Sequence, residues 1–271
     1  MPVLVRANDV SAETRDGVRR TALLTPGNTG SDKIVLERLG LSAGRTLELR
    51  PGEGAIGWLQ VLSGQGMIDS APAGASTLSY LGLGAALRLD AEAAMSLLWA
   101  VVPEAARFDP ALPASSPDAI LIDWSREPVL QSEHDARRRV YMATPKLIGT
   151  KALKGEMIIY PPGTKASNHH HEGAEHFQYV VSGSGTAVLD GTPETLSAGD
   201  TLYNYEHEPH YFFNASEADF VFVEFFVPGE CKTVWAPGAE VCAWLPTGKD
   251  SKGEAPVREI AYHVHGEDSG I

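Results

Sequence analysis

The chain has 271 residues, 43% of them hydrophobic, so it is long enough for one large or two ordinary globular domains. Its formal net charge of −13 would repel nucleic-acid phosphates and anionic lipids, which excludes both as expected partners. No stretch reaches the roughly 20 apolar residues of a membrane span, and the first residues lack a signal-peptide pattern. Cys231 and Cys242 lack zinc-site spacing, which favours reduced thiols and a cytoplasmic location.

Two parts of the chain repeat one strand pattern. TLELRPGEGAIGWLQVLSGQ (residues 46–65) and EMIIYPPGTKASNHHHEGAEHFQYVVSGSG (156–185) each give a short strand, a Pro-Gly turn, an insert, an apolar strand and a glycine turn. AAMSLLWAVVP (93–103) likewise parallels ADFVFVEFFVP (218–228). Runs of Val, Ile, Phe and Tyr divided by Gly, Pro and Asp-Gly turns predict an all-β, antiparallel fold in both halves.

A Pro- and Ser-rich stretch, FDPALPASSPDA (residues 108–119), separates the halves, and SEHDARRRV (132–140) after it is compatible with one short helix. We therefore predict an N-terminal domain over residues 1–110, a linker with a short helix over 111–145 and a C-terminal domain over 146–271.

Four of the nine histidines stand within eight residues: His169, His170, His171 and His176. Alternate side chains of a strand share a face, so His169 and His171 point the same way and His170 points the other way. If His176 begins the next strand of a hairpin, it comes back across the turn to meet that pair. A fourth ligand could come from the later segment 198–214.

The spacing of these residues resembles the cupin family. Its first motif is Gly, five residues, His-x-His, three or four residues, usually Glu, six residues and Gly. The residues here that match it are Gly163, His169, His171, His176 and Gly183. Those that match the second motif are Gly199, Asp200, His210 and Asn214. The resemblance implies a small jelly-roll barrel, or double-stranded β-helix, with one divalent transition metal (Fe, Mn, Ni or Zn) held by His169, His171, His176 and His210.

Glu175 is the alternative to His176 as third ligand, because it gives a shorter gap after His171 and the family usually has glutamate there. It leaves seven residues before Gly183, one too many, and a slip of one residue sends a side chain to the opposite face. The register favours His176.

All nine histidines follow the first repeat. In that repeat, six residues separate Gly57 from Gly64, just as six separate His176 from Gly183, so glycine stands where the second repeat has His176. The chain therefore resembles a bicupin with two barrels, of which the N-terminal one is metal-free. That barrel would serve as packing partner, pocket wall or oligomer surface, and a homodimer or higher homo-oligomer is expected.

Three further residues are candidates for catalysis. Gln178 shares a strand face with His176 and is expected to contact substrate, while Glu175 stands beside the third ligand position. Glu224 is the only charge in FVFVEFFV, and a carboxyl among aromatic side chains can acquire a raised pKa suited to proton transfer. An edge position that faces water or an arginine partner explains Glu224 equally well. His263 and His265 form another His-x-His, interpreted as a C-terminal strand with one polar face.

A metal with open coordination positions can polarise a carbonyl, activate water or bind O₂. RRTALLTPG (residues 19–27) and EHFQYVVSGSG (175–185) resemble segments of the (S)-ureidoglycine aminohydrolase family. The resemblance implies a metal-dependent hydrolase or aminohydrolase that acts on a small, polar, carboxylate-bearing metabolite. An Fe(II) dioxygenase, favoured by an all-imidazole ligand set, and a non-catalytic small-molecule-binding cupin are the alternatives.

Overall fold

A computed structural model describes residues 1–115, 118–267 and 271 of the chain. It divides into two compact units, one formed by residues 8–124 and the other by residues 1–7 together with 125–271. No helix in the described ranges is long and apolar enough to cross a membrane.

Strands far outnumber helices in the described residues, which confirms the predicted all-β fold class. The strands are β1 (Val3–Val5), β2 (Glu13–Arg15), β3 (Val18–Leu24), β4 (Val35–Leu41), β5 (Thr46–Leu49), β6 (Ile56–Ser63), β7 (Gly66–Ile68), β8 (Ala71–Ala73), β9 (Thr77–Leu81), β10 (Leu87–Ala91), β11 (Met95–Val102), β12 (Ala119–Asp123), β13 (Val129–Ser132), β14 (Arg138–Ala143), β15 (Lys154–Tyr160), β16 (His169–Glu172), β17 (Glu175–Ser182), β18 (Ser184–Leu189), β19 (Thr192–Ser197), β20 (Thr201–Asn204), β21 (His210–Phe213), β22 (Phe220–Val227), β23 (Lys232–Trp235), β24 (Ala243–Pro246) and β25 (His263–Val264). The helices are the one-turn α1 (Pro26–Thr29) and α2 (Pro145–Ile148) and the 3₁₀ turns Ala105–Arg107 and Trp124–Arg126.

The unit of residues 8–124 is a pair of antiparallel sheets. One has the order β12-β9-β6-β11-β4-β3-β2 and the other β5-β10-β7-β8. Apolar side chains from both sheets fill the space between them, among them Leu59 and Leu97 of the larger sheet and Ile68 and Leu89 of the smaller. The interior of this barrel is therefore a hydrophobic core.

The other unit has the same two-sheet design. Its sheets have the orders β1-β20-β17-β22-β15-β14-β13-β24-β25 and β19-β18-β21-β16-β23. The N-terminal strand β1 pairs with β20, so the first residues of the chain belong to the histidine-bearing barrel. Its apolar core, which includes Ile158, Val180, Phe212 and Phe222, fills only part of the interior.

Equivalent turns confirm that the two barrels share one design. Each unit carries a one-turn helix that begins at the proline of a Thr-Pro pair and ends at a left-handed glycine, Gly30 or Gly149. The glycines that close the paired motifs, Gly64 and Gly183, both have positive φ and lie against a backbone carbonyl. A Cβ on Gly183 would lie 2.1 Å from the Asp219 oxygen, so the site admits only glycine.

The segment expected to hold a short helix is extended instead. SEHDARRRV ends β13, turns at residues 133–137 and enters β14. Arg137 and Arg139 are buried and Arg138 faces outward, an alternation of period two that propensity alone does not reveal. Strand β12 belongs to the first unit and β13 and β14 to the second, so strands occupy much of the predicted linker. Residues 116 and 117 of that linker lie outside the described ranges.

We expect Gly183→Ala to lower the free energy of unfolding by about 3 kcal/mol, because left-handed strain and the clash with the Asp219 carbonyl add together. Gly191→Ala is the matched control: φ is also positive there, but open space surrounds the added methyl, so about 1 kcal/mol is expected. Urea unfolding of both variants measures the difference, and equal losses would contradict the close approach at Gly183.

Candidate metal centre

Four buried imidazoles face one another between the two sheets of the second barrel. His169 and His171 lie on one face of β16, and His210 on β21 stands directly opposite His169 in the strand register. His176 projects from β17 of the other sheet. Ring centroids in this group are 4.7 Å apart for His169 and His210, 4.8 Å for His176 and His210 and 4.9 Å for His171 and His176.

Hydrogen bonds set which ring nitrogen of each imidazole faces its neighbours. Nδ1 of His169 lies 2.8 Å from the Ser167 carbonyl oxygen, and Nδ1 of His210 lies 2.9 Å from that of Glu208. A carbonyl oxygen only accepts, so both Nδ1 atoms carry the proton and both Nε2 atoms keep a lone pair. Nδ1 of His171 lies 3.2 Å from the Thr233 hydroxyl oxygen. Metal-binding histidines are commonly oriented through their second nitrogen in this way.

The donor set fits a divalent transition metal. Nε2 of His210 and both nitrogens of His176 are buried without a hydrogen-bond partner among the described residues. Leaving such atoms unpaired costs about 1–3 kcal/mol each. Each neutral ring has one nitrogen lone pair, so a metal that accepts one lone pair from His210 and one from His176 is expected. Candidate ligand atoms of His169, His171 and His210 lie within 4.8 Å of one another, as do those of His176, His210 and Glu224. Neutral imidazole is a good ligand for Fe, Ni, Cu and Zn.

Burial also keeps these rings neutral. It is the main cause that lowers the pKa of His169, His171 and His176 well below the usual value, and it lowers the pKa of His210 to about 4. A metal competes with protons for imidazole nitrogen, so low pKa values keep the lone pairs available at neutral pH.

Glu175 and His170 lie outside the cluster. Glu175 is half-buried on the face of β17 opposite to His176, and its carboxylate accepts a hydrogen bond from the Tyr203 hydroxyl. His170 points away from the cluster, and its ring centroid is 5.8 Å from that of His207. With Glu172, these two histidines form a surface group of possible ligands.

Glu224 and Gln178 lie side by side on the inner face of the larger sheet. They are register partners on β22 and β17, and the Gln178 amide donates to Oε1 of Glu224. Asn204 in turn donates to the Gln178 side-chain oxygen at 2.8 Å. The Glu224 carboxylate lies 3.6 Å from Nε2 of His176, so Glu224 faces the interior and is not exposed to water at an edge. Burial, then the neighbouring Glu156, raises the pKa of Glu224 to about 8.

A cavity of about 30 Å³ lies beside the imidazoles, with room for roughly two or three water molecules. It is lined by His169, His210, Glu224 and by the guanidinium groups of Arg137 and Arg139. Arg137 pairs with Asp135 through Nε at 2.8 Å, and Arg139 lies 3.3 Å from Glu156 and 4.2 Å from the ring centroid of Trp244. The cavity thus joins cations, a carboxyl and the imidazole cluster.

Three residues that line the cavity, Arg137, Arg139 and His265, are not among the site residues predicted from the sequence. Arg137 and Arg139 fall in the segment predicted to hold a short helix, and three consecutive arginines give no local signal of which side chains are buried. His265 was assigned to a polar strand face, but it is 8% exposed and its ring centroid lies 5.4 Å from that of His169. Its two-residue spacing from His263 was the signal. His263 itself bonds the Tyr141 hydroxyl at 2.9 Å.

Comparisons with known proteins agree with this architecture. The family model for the cupin domain matches residues 156–226, which contain all four clustered imidazoles. None of the curated proteins matches the sequence. A structure of Bacillus subtilis oxalate decarboxylase studied for its Mn(II) centres is 16% identical, with a TM-score of 0.68, and the alignment covers 86% of this chain and 79% of that one.

Two further structures of the same Bacillus subtilis enzyme are similar. A tryptophan-to-tyrosine variant has a TM-score of 0.69 at 15% identity, covering 86% of this chain and 79% of that chain. The enzyme at pH 4.6 has a TM-score of 0.68 at 16% identity, covering 86% and 78%. Likeness at this identity establishes the fold alone. The chain therefore contains a cupin domain at residues 156–226 and has the two-barrel fold of a bicupin.

Proposed function

We propose that the second barrel is the site of a metal-dependent enzyme that acts on a small carboxylate-bearing metabolite. The observation that carries the proposal is the cavity in which the imidazole cluster, the Glu224 carboxyl and two buried guanidinium groups meet. The oxalate decarboxylase structures carry Mn(II) centres in a related fold, which is consistent with a metal here.

His169, His171, His176 and His210 would hold the metal, which would supply Lewis-acid activation of a bound carbonyl or water. Their orientation supports the role, because backbone carbonyls hold Nδ1 of His169 and His210 and leave Nε2 for the ion. Glu175 is a weaker candidate ligand and catalytic residue, since its carboxylate is engaged by Tyr203 on the other face of the strand.

Arg137 and Arg139 are proposed to bind the carboxylate of the substrate. Each guanidinium has five N–H donors, more than its acidic partner uses, and a planar fork matches a carboxylate. Asp135 fixes Arg137, and Trp244 supports the face of Arg139, so neither cation needs reordering when an anion enters. The small cavity limits the substrate to a few heavy atoms.

Glu224 is proposed as the group that exchanges a proton with the substrate. Its carboxyl lines the cavity, and the Gln178 amide, held by Asn204, occupies Oε1. Oε2 is therefore the oxygen that would carry or accept the proton. Gln178 then acts through Glu224, as a positioning residue.

A hydrolase or aminohydrolase related to ureidoglycine aminohydrolase is the first candidate reaction. An Fe(II) dioxygenase is the second, because the four-imidazole set suits iron. Metal-loaded protein incubated with small 2-hydroxy and 2-amino carboxylates distinguishes them: an aminohydrolase releases ammonia without oxygen, and a dioxygenase consumes O₂. A decarboxylase releases CO₂. Ligand binding with none of these products would support a binding protein and contradict the enzyme proposal.

Thr233→Val tests the proposed orientation of the ligands. Valine has nearly the shape of threonine but lacks the hydroxyl that hydrogen-bonds Nδ1 of His171. Because that hydrogen bond orients the ring, metal affinity is expected to fall about 10- to 100-fold. Competition with a chelator measures the dissociation constant, and Thr233→Ser, which keeps the hydroxyl, is the control. Wild-type affinity in the valine variant would contradict the role of this contact.

The N-terminal barrel, residues 1–110 in the sequence prediction, is proposed to be metal-free, because it has no histidine and its interior is apolar. The homo-oligomeric state and the cytoplasmic location stay predictions.

A further inference from the structure

A short C-terminal segment, residues 263–267, carries another imidazole to the cavity, in addition to those of His169 and His210. Its strand β25 pairs with β24 through Val264 opposite Ala243, and the His265 amide donates to the Cys242 carbonyl at 2.9 Å. These bonds place His265 on the cavity wall, beside His169 and Trp235.

Close packing fixes the segment onto β23. Gly266 has a φ of 90°, and a Cβ there would lie 2.5 Å from the Thr233 hydroxyl oxygen. The same hydroxyl hydrogen-bonds Nδ1 of His171, so the segment packs against the residue that orients this imidazole. Only glycine allows this close approach, so the packing of Gly266 against Thr233 fixes the backbone next to His265.

His265 is separate from the proposed ligand set. Its ring centroid is 5.4 Å from that of His169 and 5.8 Å from that of His171, and its nitrogens do not belong to either buried group of possible ligand atoms. Its Nδ1 is buried and has no hydrogen-bond partner among the described residues. Buried polar atoms are normally hydrogen-bonded, and a molecule that enters the cavity can supply the hydrogen-bond partner of this nitrogen.

We propose that His265 hydrogen-bonds the small carboxylate-bearing molecule bound in the cavity and so selects which molecules fit. The inference rests on the proposed function, because it takes the same cavity as the substrate site. Arg137 and Arg139 would hold the charge of the ligand, and His265 would hold a second polar group through Nδ1. The ligand class is then a small carboxylate with a hydroxyl or amino substituent.

Glycolate, a small hydroxy acid, is the probe for this contact. The full chain is loaded with Mn(II), metal affinity is measured by chelator competition, and the glycolate dissociation constant is measured by calorimetry. In His265→Ala we expect metal affinity within about twofold of wild type and glycolate binding weakened about 10-fold or more. His265→Gln keeps a donor and an acceptor and should recover most of the affinity. His134→Ala, at an exposed histidine outside the cavity, is the control.

Unchanged glycolate binding in His265→Ala would overturn the inference and leave the proposed function standing. Loss of metal in that variant would also overturn it, since His265 would then support the metal rather than the ligand. Wild-type protein that holds Mn(II) but does not bind glycolate would contradict the carboxylate substrate class itself, and the His265 contact with it.

Discussion

His171→Ala is expected to reduce metal affinity by more than about 100-fold, beyond the effect of losing an outer hydrogen-bonding partner. His171 lies at the centre of the cluster, with its ring within 5.0 Å of His169 and 4.9 Å of His176. Removal of its imidazole takes away one of the four proposed ligands, and the free energy of that metal–nitrogen bond is lost from metal binding. The measurement is metal content after dialysis, together with the dissociation constant from chelator competition.

His170→Ala is the matched control for this variant. His170 is the neighbouring residue of the same strand, but it faces away from the cluster toward His207. It should keep full metal occupancy. Full occupancy in His171→Ala, with a folded protein by circular dichroism, would refute the assignment of the four imidazoles as ligands.

Arg139→Met is expected to lower the free energy of unfolding by about 3–5 kcal/mol, because it leaves the buried Glu156 carboxylate without its cationic partner. Glu156 and Glu224 are register partners on adjacent strands, so the loss of the cation also leaves two buried carboxyl groups side by side. Adding Glu156→Leu removes the unpaired charge and should recover much of the stability. Thermal and urea unfolding of both variants measure the effect.

Arg138→Met is the control on the same strand. Arg138 is half-buried and pairs with Asp219 at the surface, where an ion pair contributes up to about 1 kcal/mol. A loss in Arg139→Met no larger than in Arg138→Met would show that the guanidinium beside the cavity is not held as a buried ion pair. If the double variant Arg139→Met with Glu156→Leu is less stable than Arg139→Met alone, the buried ion pair between Arg139 and Glu156 is also contradicted.

The parts of the site that follow strand periodicity were predictable from the sequence. A two-residue spacing places His169 and His171 on one face, and a count to Gly183 selects His176 over Glu175, consistent with where the fold places these side chains. The internal repeat predicts the duplicated all-β architecture, and the same glycine turns are present in both barrels.

The other parts depend on contacts between distant segments. The sequence places Arg137 and Arg139 in a segment compatible with a short helix. Only tertiary contacts reveal that both are buried: Arg139 packs against Trp244 and pairs with Glu156, and Arg137 pairs with Asp135. His265 reaches the cavity because β25 pairs with β24, a pairing of two short strands that no local pattern indicates. The proline-rich stretch predicts a boundary between domains, but in the structure it connects β11 to β12 within one unit.

The most direct test of the account is anomalous diffraction at metal absorption edges from crystals of protein purified without a histidine tag. The account predicts one peak among the imidazole nitrogens of His169, His171, His176 and His210, next to the cavity lined by Glu224 and the two arginines. A crystal with no peak at that position, or with its peak at the surface group of His170, Glu172 and His207, would contradict it.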